Sequence, residues 1–211
     1  MGVVALLGGS ACTDVGANTS LSQRLLAASG SNSVLVLPTA DAFEHPERAV
    51  ATAQAWFAAL GATATGLMVL SRRDASETRH ADTVRASSFV LLVGDSPLHL
   101  RSTMKDTPVW EAICDVAQRG VLAAAGACAA AICDPMTDPR GGAFTLGLGL
   151  VSPLAVIGEA ETWSADRLHR THLLAKDLPV LTLPSGTAAI RTDGRWELVG
   201  DGAEVAGNLP V

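Results

Sequence analysis

The sequence has no surplus of basic residues: 15 lysines and arginines stand against 21 aspartates and glutamates, a formal charge of -6. That balance excludes a nucleic-acid binder, whose phosphate partner needs a basic face. No apolar run approaches the roughly 20 residues of a membrane-spanning helix, so no membrane partner is expected. The start, Met1 to Leu6, has no basic region of the kind a secretory signal carries, which makes a cytoplasmic location the expectation. The four cysteines, Cys12, Cys114, Cys128 and Cys133, form no Cys-x-x-Cys pair and no disulfide framework, so reduced thiols are expected. Gly8-Gly9-Ser10 is too short for a dinucleotide fingerprint and no Walker pattern exists, so no cofactor is inferred. Repeats, linkers and low-complexity segments are missing, and residues 1–211 read as a single domain. Tyrosine is absent altogether, and its absence decides nothing.

What is present is a globular composition, 48% hydrophobic and 17% charged, long enough to bury a sizeable core. Val3 to Leu7, Val34 to Pro38, Leu67 to Leu70, Phe89 to Val93 and Val121 to Ala125 read as buried strands. Between them Leu21 to Ser29, His45 to Leu60, Ala81 to Ala86 and Val109 to Arg119 read as helices, and Arg72-Arg73 as a solvated loop. The helix from Glu47 carries Val50, Ala53, Trp56, Phe57 and Leu60 at three- and four-residue steps, an inward stripe. Strict alternation of strand and helix predicts an α/β fold with a parallel sheet covered on both faces. Further on, a strand at Leu154 to Ile157, a helix at Asp166 to Ala175 and a strand at Val180 to Leu183 are expected. A hairpin follows, Ala188 to Arg191 against Trp196 to Val199.

Residues Gly120 to Met136 carry the sharpest local signal. The apolar strand Val121 to Ala125 runs into Gly126-Ala127-Cys128-Ala129 and an alanine-rich helical run, the form of a nucleophile elbow without its serine. A helix start at this turn favours a developing oxyanion and lowers a neighbouring thiol pKa, which makes Cys128 a candidate nucleophile. The competing reading is that Cys128 fills space among alanines. In an open parallel sheet ligands bind beyond the carboxyl ends of the strands. That rule gathers Gly8-Gly9, Pro38-Thr39-Ala40, Gly94-Asp95-Ser96 and Gly126-Ala127-Cys128 at one rim.

In order and spacing, Gly8-Gly9, Leu37-Pro38-Thr39-Ala40, Gly94-x-Ser96-Pro97, the Gly126 elbow, Asp134-Pro135-Met136, Gly147-Leu148-Gly149-Leu150 and Thr187-Ala188 resemble the cyanophycinase and dipeptidase E family of serine peptidases. The resemblance covers nearly the whole chain. It implies the class I glutamine amidotransferase-like, flavodoxin-like fold: a three-layer sandwich with a mostly parallel central sheet. Members hydrolyse aspartyl peptides or related amides with an elbow serine, a histidine after a later strand, and an oxyanion donor from a Gly-Gly turn. Laid on this chain without gaps, the serine falls on Gly126, the histidine on or near Glu159 and the second glycine of the turn on Asp95. Glycine offers no nucleophile, and a carboxylate repels an oxyanion. A register shifted by two residues would instead place Cys128 at the apex.

Other polar residues complete the candidate set. Glu159 and Glu161 share one face of an extended segment beside Trp163, as a paired acid and base or as solvated carboxylates. His99, close after Gly94-Asp95-Ser96-Pro97, is the spare imidazole nearest the expected rim. His169 and His172 stand at a three-residue step on a helix, but no further ligand has a matching spacing, so no metal site is inferred. Asp166 and Arg170 suggest a helix ion pair, and Ser10 to Ser22 suggests a mobile flap or an ordinary loop. Three functions stay open: a non-peptidase that keeps a ligand pocket; a Cys128-dependent amide hydrolase or acyl transferase; and a repurposed pocket with Glu159, His99 or Asp95 moving protons. The expected ligand is a small molecule or short peptide, and a homodimer stays open.

Overall fold

The computed structural model describes residues 2–10, 12 and 17–210. In chain order its elements are β1 (Val3–Leu7), α1 (Ala17–Ser29), β2 (Ser33–Leu37), α2 (Pro46–Ala59), β3 (Thr63–Gly66), α3 (Arg72–Ala75), α4 (Thr78–Arg85) and β4 (Phe89–Leu92). Then come α5 (Pro97–Met104), α6 (Pro108–Arg119), β5 (Val121–Ala125), α7 (Ala127–Ile132), β6 (Met136–Thr137) and β7 (Phe144–Thr145). The chain continues through β8 (Ala155–Gly158), α8 (Ala165–Ala175), β9 (Val180–Leu183), β10 (Ala188–Thr192), β11 (Arg195–Val199) and β12 (Glu204–Ala206).

Seven strands form the main sheet in the order β11-β10-β1-β5-β4-β2-β3. The pairs β1–β5, β5–β4, β4–β2 and β2–β3 are parallel, while β10 joins β1 antiparallel and β11 joins β10 antiparallel. Alternation along β1 sorts its side chains to opposite faces. Val3, Ala5 and Leu7 pack with Leu21 and Leu25 of α1 and Ala53 and Phe57 of α2, whereas Val4 and Leu6 pack with Val84 of α4, Ile113 of α6 and Ile132 of α7. The result is the expected α/β sandwich of helices on both faces of a mostly parallel sheet. Phe57 meets Phe89 edge-on at 6.0 Å between ring centroids, anchoring α2 to β4.

A second sheet, β12-β9-β8, stands apart from the first, so the strands at Ala155–Gly158 and Val180–Leu183 do not extend the main sheet. Between the two lie the family-like motifs at 134–136 and 147–150. Asp134 Oδ1 accepts the Gly147 N–H at 2.8 Å, and Leu148 and Leu150 donate to the carbonyls of Ala131 and Ile132 at the end of α7. A Cβ on Gly147 would lie 1.7 Å from the Cys133 carbonyl oxygen, so only glycine passes there.

Several expectations shift. The third strand is Thr63–Gly66 and not Leu67 to Leu70, because the polar-apolar alternation of Thr63, Ala64 and Thr65 suits an edge strand with one face exposed. Arg72-Arg73 opens α3 rather than a loop: Ser71 and Asp74 form a reciprocal capping box, and Arg72 Nη1 donates to the Lys105 carbonyl at 2.7 Å. Helix α1 begins at Ala17, so residues 17–22 of the expected flap are helical, while residues 11 and 13–16 of that flap lie outside the described residues. Asp166 and Arg170 do not form the expected ion pair. The hairpin turn is tighter than expected, with only Asp193 and Gly194 between the strands at positive φ of 48° and 78°. Among the described residues no helix is long and apolar enough to cross a membrane.

Candidate functional site

Strand β5 ends in three alanines, and these small residues let the chain turn at once into α7. The turning residue is Gly126, at φ 51° and ψ -117°, a conformation that strains any residue with a Cβ. Its N–H donates to the Leu7 carbonyl at 3.0 Å, tying the elbow to the end of β1. A Cβ at Gly126 would lie 3.9 Å from the Glu159 carboxylate and 3.9 Å from the Gly9 carbonyl carbon, its nearest neighbours. A Cβ at the apex would thus be accommodated in ordinary van der Waals contact with the Glu159 carboxylate.

Cys128 sits one turn deeper. It is fully buried, its Sγ within 3.5 Å of the Gly94 carbonyl, and burial together with the Asp41 and Asp95 carboxylates pushes its thiol pKa well above the ordinary value. A thiol so placed is protonated and shielded at neutral pH. The geometry thus sets Gly126 at the apex and Cys128 in the core beneath it. Helix α7 is only six residues long, and Ala127 opens it half-buried.

Gly94 follows β4 at φ 116°, and a Cβ there would lie 2.5 Å from the Asp41 N, so the turn closes against the segment after β2. Ser96 N donates to the Ala40 carbonyl at 3.0 Å, holding the two segments together. The Asp95 N–H donates to Asp41 Oδ1 at 3.1 Å. Burial raises the Asp41 pKa, opposed by that hydrogen bond and reinforced by the charges of Asp95 and Glu44.

Glu159 follows β8 in left-handed conformation, φ 49° and ψ 44°, its N–H bonded to the Gly8 carbonyl. Its carboxyl pKa is raised, first by burial and then by Asp95 and Glu161. Glu161 goes elsewhere: it accepts the Ser185 N–H at 3.1 Å and the Ser185 hydroxyl. Burial alone would push Glu161 up, but these bonds and its own N–H hold its pKa below the ordinary value. Trp163 stacks under the Arg167 guanidinium, 3.7 Å from the ring centroid, and packs on the small second sheet. His99 Nε2 lies 2.9 Å from the Leu70 carbonyl and its ring contacts Phe43 edge-on, so Nε2 is engaged outside the cleft. His169 and His172 are exposed on α8, and no group of three or more His, Cys, Asp or Glu among the described residues is placed to hold a metal ion.

The elbow opens into a cleft of about 490 Å³, whose lining includes Ser10, Asp41, Glu44, Arg48, Gly94, Asp95, Gly126 and Glu159. Of the residues singled out in sequence, the structure brings Gly94, Asp95, Gly126 and Glu159 together here. It places Cys128, His99, Glu161 and Trp163 in other roles. Asp41, Glu44, His45 and Arg48 line the cleft and were missed. Asp41 had a signal, since it directly follows Pro38-Thr39-Ala40 at the strand ends; Glu44 and His45, just before α2, and Arg48, in its first turn, had none in their spacing.

A sequence model of peptidase family S51 matches residues 4–199. The chain belongs to peptidase family S51. Two crystal structures share its fold. A peptidase from an acI-B1 Actinobacterium superposes with a TM-score of 0.83 at 22% identity, over 98% of this chain and 94% of that one. A peptidase E-like protein from Listeria monocytogenes EGD-e gives a TM-score of 0.67 at 14% identity, over 94% of this chain and 98% of that one. No curated protein matches the S51 chain in sequence.

Proposed function

We propose that this S51 chain is a non-peptidase that keeps the family's cleft as a ligand site. The observation that carries the reading is Gly126 at the elbow apex, its absent side chain facing Glu159. A serine at that position attacks only when a neighbouring base takes its proton; here residue 126 carries no hydroxyl, and the group facing it is the Glu159 carboxylate and not an imidazole. Asp95, whose N–H is engaged by Asp41, supports the same reading, because a preorganised donor has to be free to stabilise an oxyanion. The buried, protonated Cys128 speaks against cysteine catalysis, and His99 lies outside the cleft. Glu159 favours a second reading, a repurposed acid: a half-buried carboxyl in a cleft, its pKa raised by burial and by Asp95 and Glu161, is suited to hold and release a proton.

The test is hydrolysis of an aspartyl dipeptide by the native chain, followed by release of free aspartate. No release above buffer is expected. Turnover that persists in Glu159→Gln but is lost in Cys128→Ala would overturn the reading in favour of cysteine catalysis. Turnover of a non-peptide substrate that is lost in Glu159→Gln would favour the proton-transfer reading.

A further inference from the structure

Elsewhere in the molecule the half-buried or structurally engaged carboxylates have donors. Asp134 holds the Gly147 N–H, Glu161 holds Ser185, and Asp74 closes the cap of α3. Exposed Glu197 and half-buried Asp138 pair with Arg24 and Arg140. The cleft is different. Asp41 accepts one N–H, that of Asp95, and none of Asp41, Glu44, Asp95 and Glu159 has an ion-pair partner among the described residues. The cations lining it are Arg48 and His45, both exposed at the start of α2, with His45 Nδ1 turned to Glu47 at 3.5 Å. Four carboxylates on a concave wall, against one guanidinium, focus a negative potential into the space over Gly126.

The site itself is located by the elbow, its unfilled apex and the cleft, independently of these charges; the charges decide what enters. The carboxylates come from three separate segments, after β2, β4 and β8, and do not converge as a metal-binding group among the described residues, so a single small ion is not what they fit. The volume of about 490 Å³ is that of a small-molecule pocket. We infer that the cleft takes an organic cation, an ammonium or guanidinium compound, seated beside the elbow between Glu159, Asp95 and Asp41. This rests on the reading of the cleft as a ligand site without hydrolytic machinery.

The probe is agmatine, which carries an ammonium at one end and a guanidinium at the other, titrated calorimetrically into the full chain alongside glutarate and Mg²⁺. One saturable agmatine site is expected, with no response to glutarate. Glu159→Gln and Asp95→Asn should each weaken agmatine by about 5-fold or more, as loss of a charge-assisted contact does. Arg48→Ala, which removes the competing cation from the cleft, should tighten it. The melting temperature of each variant reports that the fold is kept. Glutarate binding as tightly as agmatine would overturn the inference. So would Mg²⁺ binding without agmatine, agmatine affinity indifferent to all three substitutions, or no saturable agmatine binding. Aspartyl dipeptide hydrolysis by the native chain would instead overturn the non-peptidase reading, and the titration would still decide the charge of the occupant.

Discussion

Glu159 and Glu161 stand two residues apart and belong to two different kinds of structure. Glu161 is part of a seam: it accepts both the N–H and the hydroxyl of Ser185. In that seam Gly8 passes so close to Pro184 that a Cβ would lie 1.9 Å from its carbonyl oxygen. Glu159 belongs to the cleft wall, where its carboxylate faces Gly126 and the charges of Asp95 and Glu161. The seam is filled and its polar groups are matched; the cleft is open and its charges are not. The difference separates residues that hold the S51 fold from residues that line its cleft.

Four substitutions probe that separation. The largest effect is expected from Gly8→Ala, which drives a methyl into the seam backbone. A loss of about 3 kcal/mol is expected from overpacking of this kind, read as a fall of roughly 6–12 °C in melting temperature for a chain of this length. A change within error would mean that the seam is looser than the cleft. Gly126→Ala comes next: space exists for its methyl, so its cost of about 1–2 kcal/mol comes from the positive φ alone. Glu161→Ala should cost about 1 kcal/mol through the lost Ser185 hydrogen bonds. Because the folded pKa of Glu161 is lowered, its contribution is present above the unfolded carboxyl pKa and fades as pH falls through the folded one. The smallest effect should have the opposite sign. The folded pKa of Glu159 is raised, so the native state binds its proton more tightly than the unfolded state does, and stability is lost as pH rises through that folded pKa. Glu159→Gln should therefore melt slightly higher than the native chain at pH 7.5, with the gap closing near pH 4. A gap that widens on acidification would sink the assignment of Glu159 to the unmatched wall.

Most of the main sheet was legible because its strands are buried on both faces and read as short apolar runs; Val3–Leu7 and Val121–Ala125 emerge with the expected bounds. Thr63–Gly66 was not, since an edge strand with exposed threonines has no such run. Helix α5 (Pro97–Met104) had no expected counterpart, although Leu100 and Met104 lie four apart on its buried side. The short length and the polar residues between them hide the stripe. At the site, the facing of residue 126 and Glu159 followed from the order of motifs. The parting of Glu159 from Glu161 did not. Period-two logic puts both on one face of an extended strand, but the left-handed backbone at Glu159 and the turn at Ala160–Thr162 break that period and send the second carboxylate to Ser185. Cys128 presents a related case: spacing alone leaves two elbow registers, and only the depth of the side chain under Gly94 separates them.

Gly126 rises from the large sheet and Glu159 from the small one, and they meet where Gly158 touches the elbow. A Cβ on Gly158 would lie 2.9 Å from the Gly126 carbonyl oxygen and 3.2 Å from that of Gly8. This glycine is a spacer of zero thickness between two rigid plates. Any side chain in its place would act as a shim, moving the Glu159 plate outward by a few tenths of an ångström while leaving every ligand-facing atom chemically unchanged. The gauge of this pocket is thus set by a residue that no ligand touches.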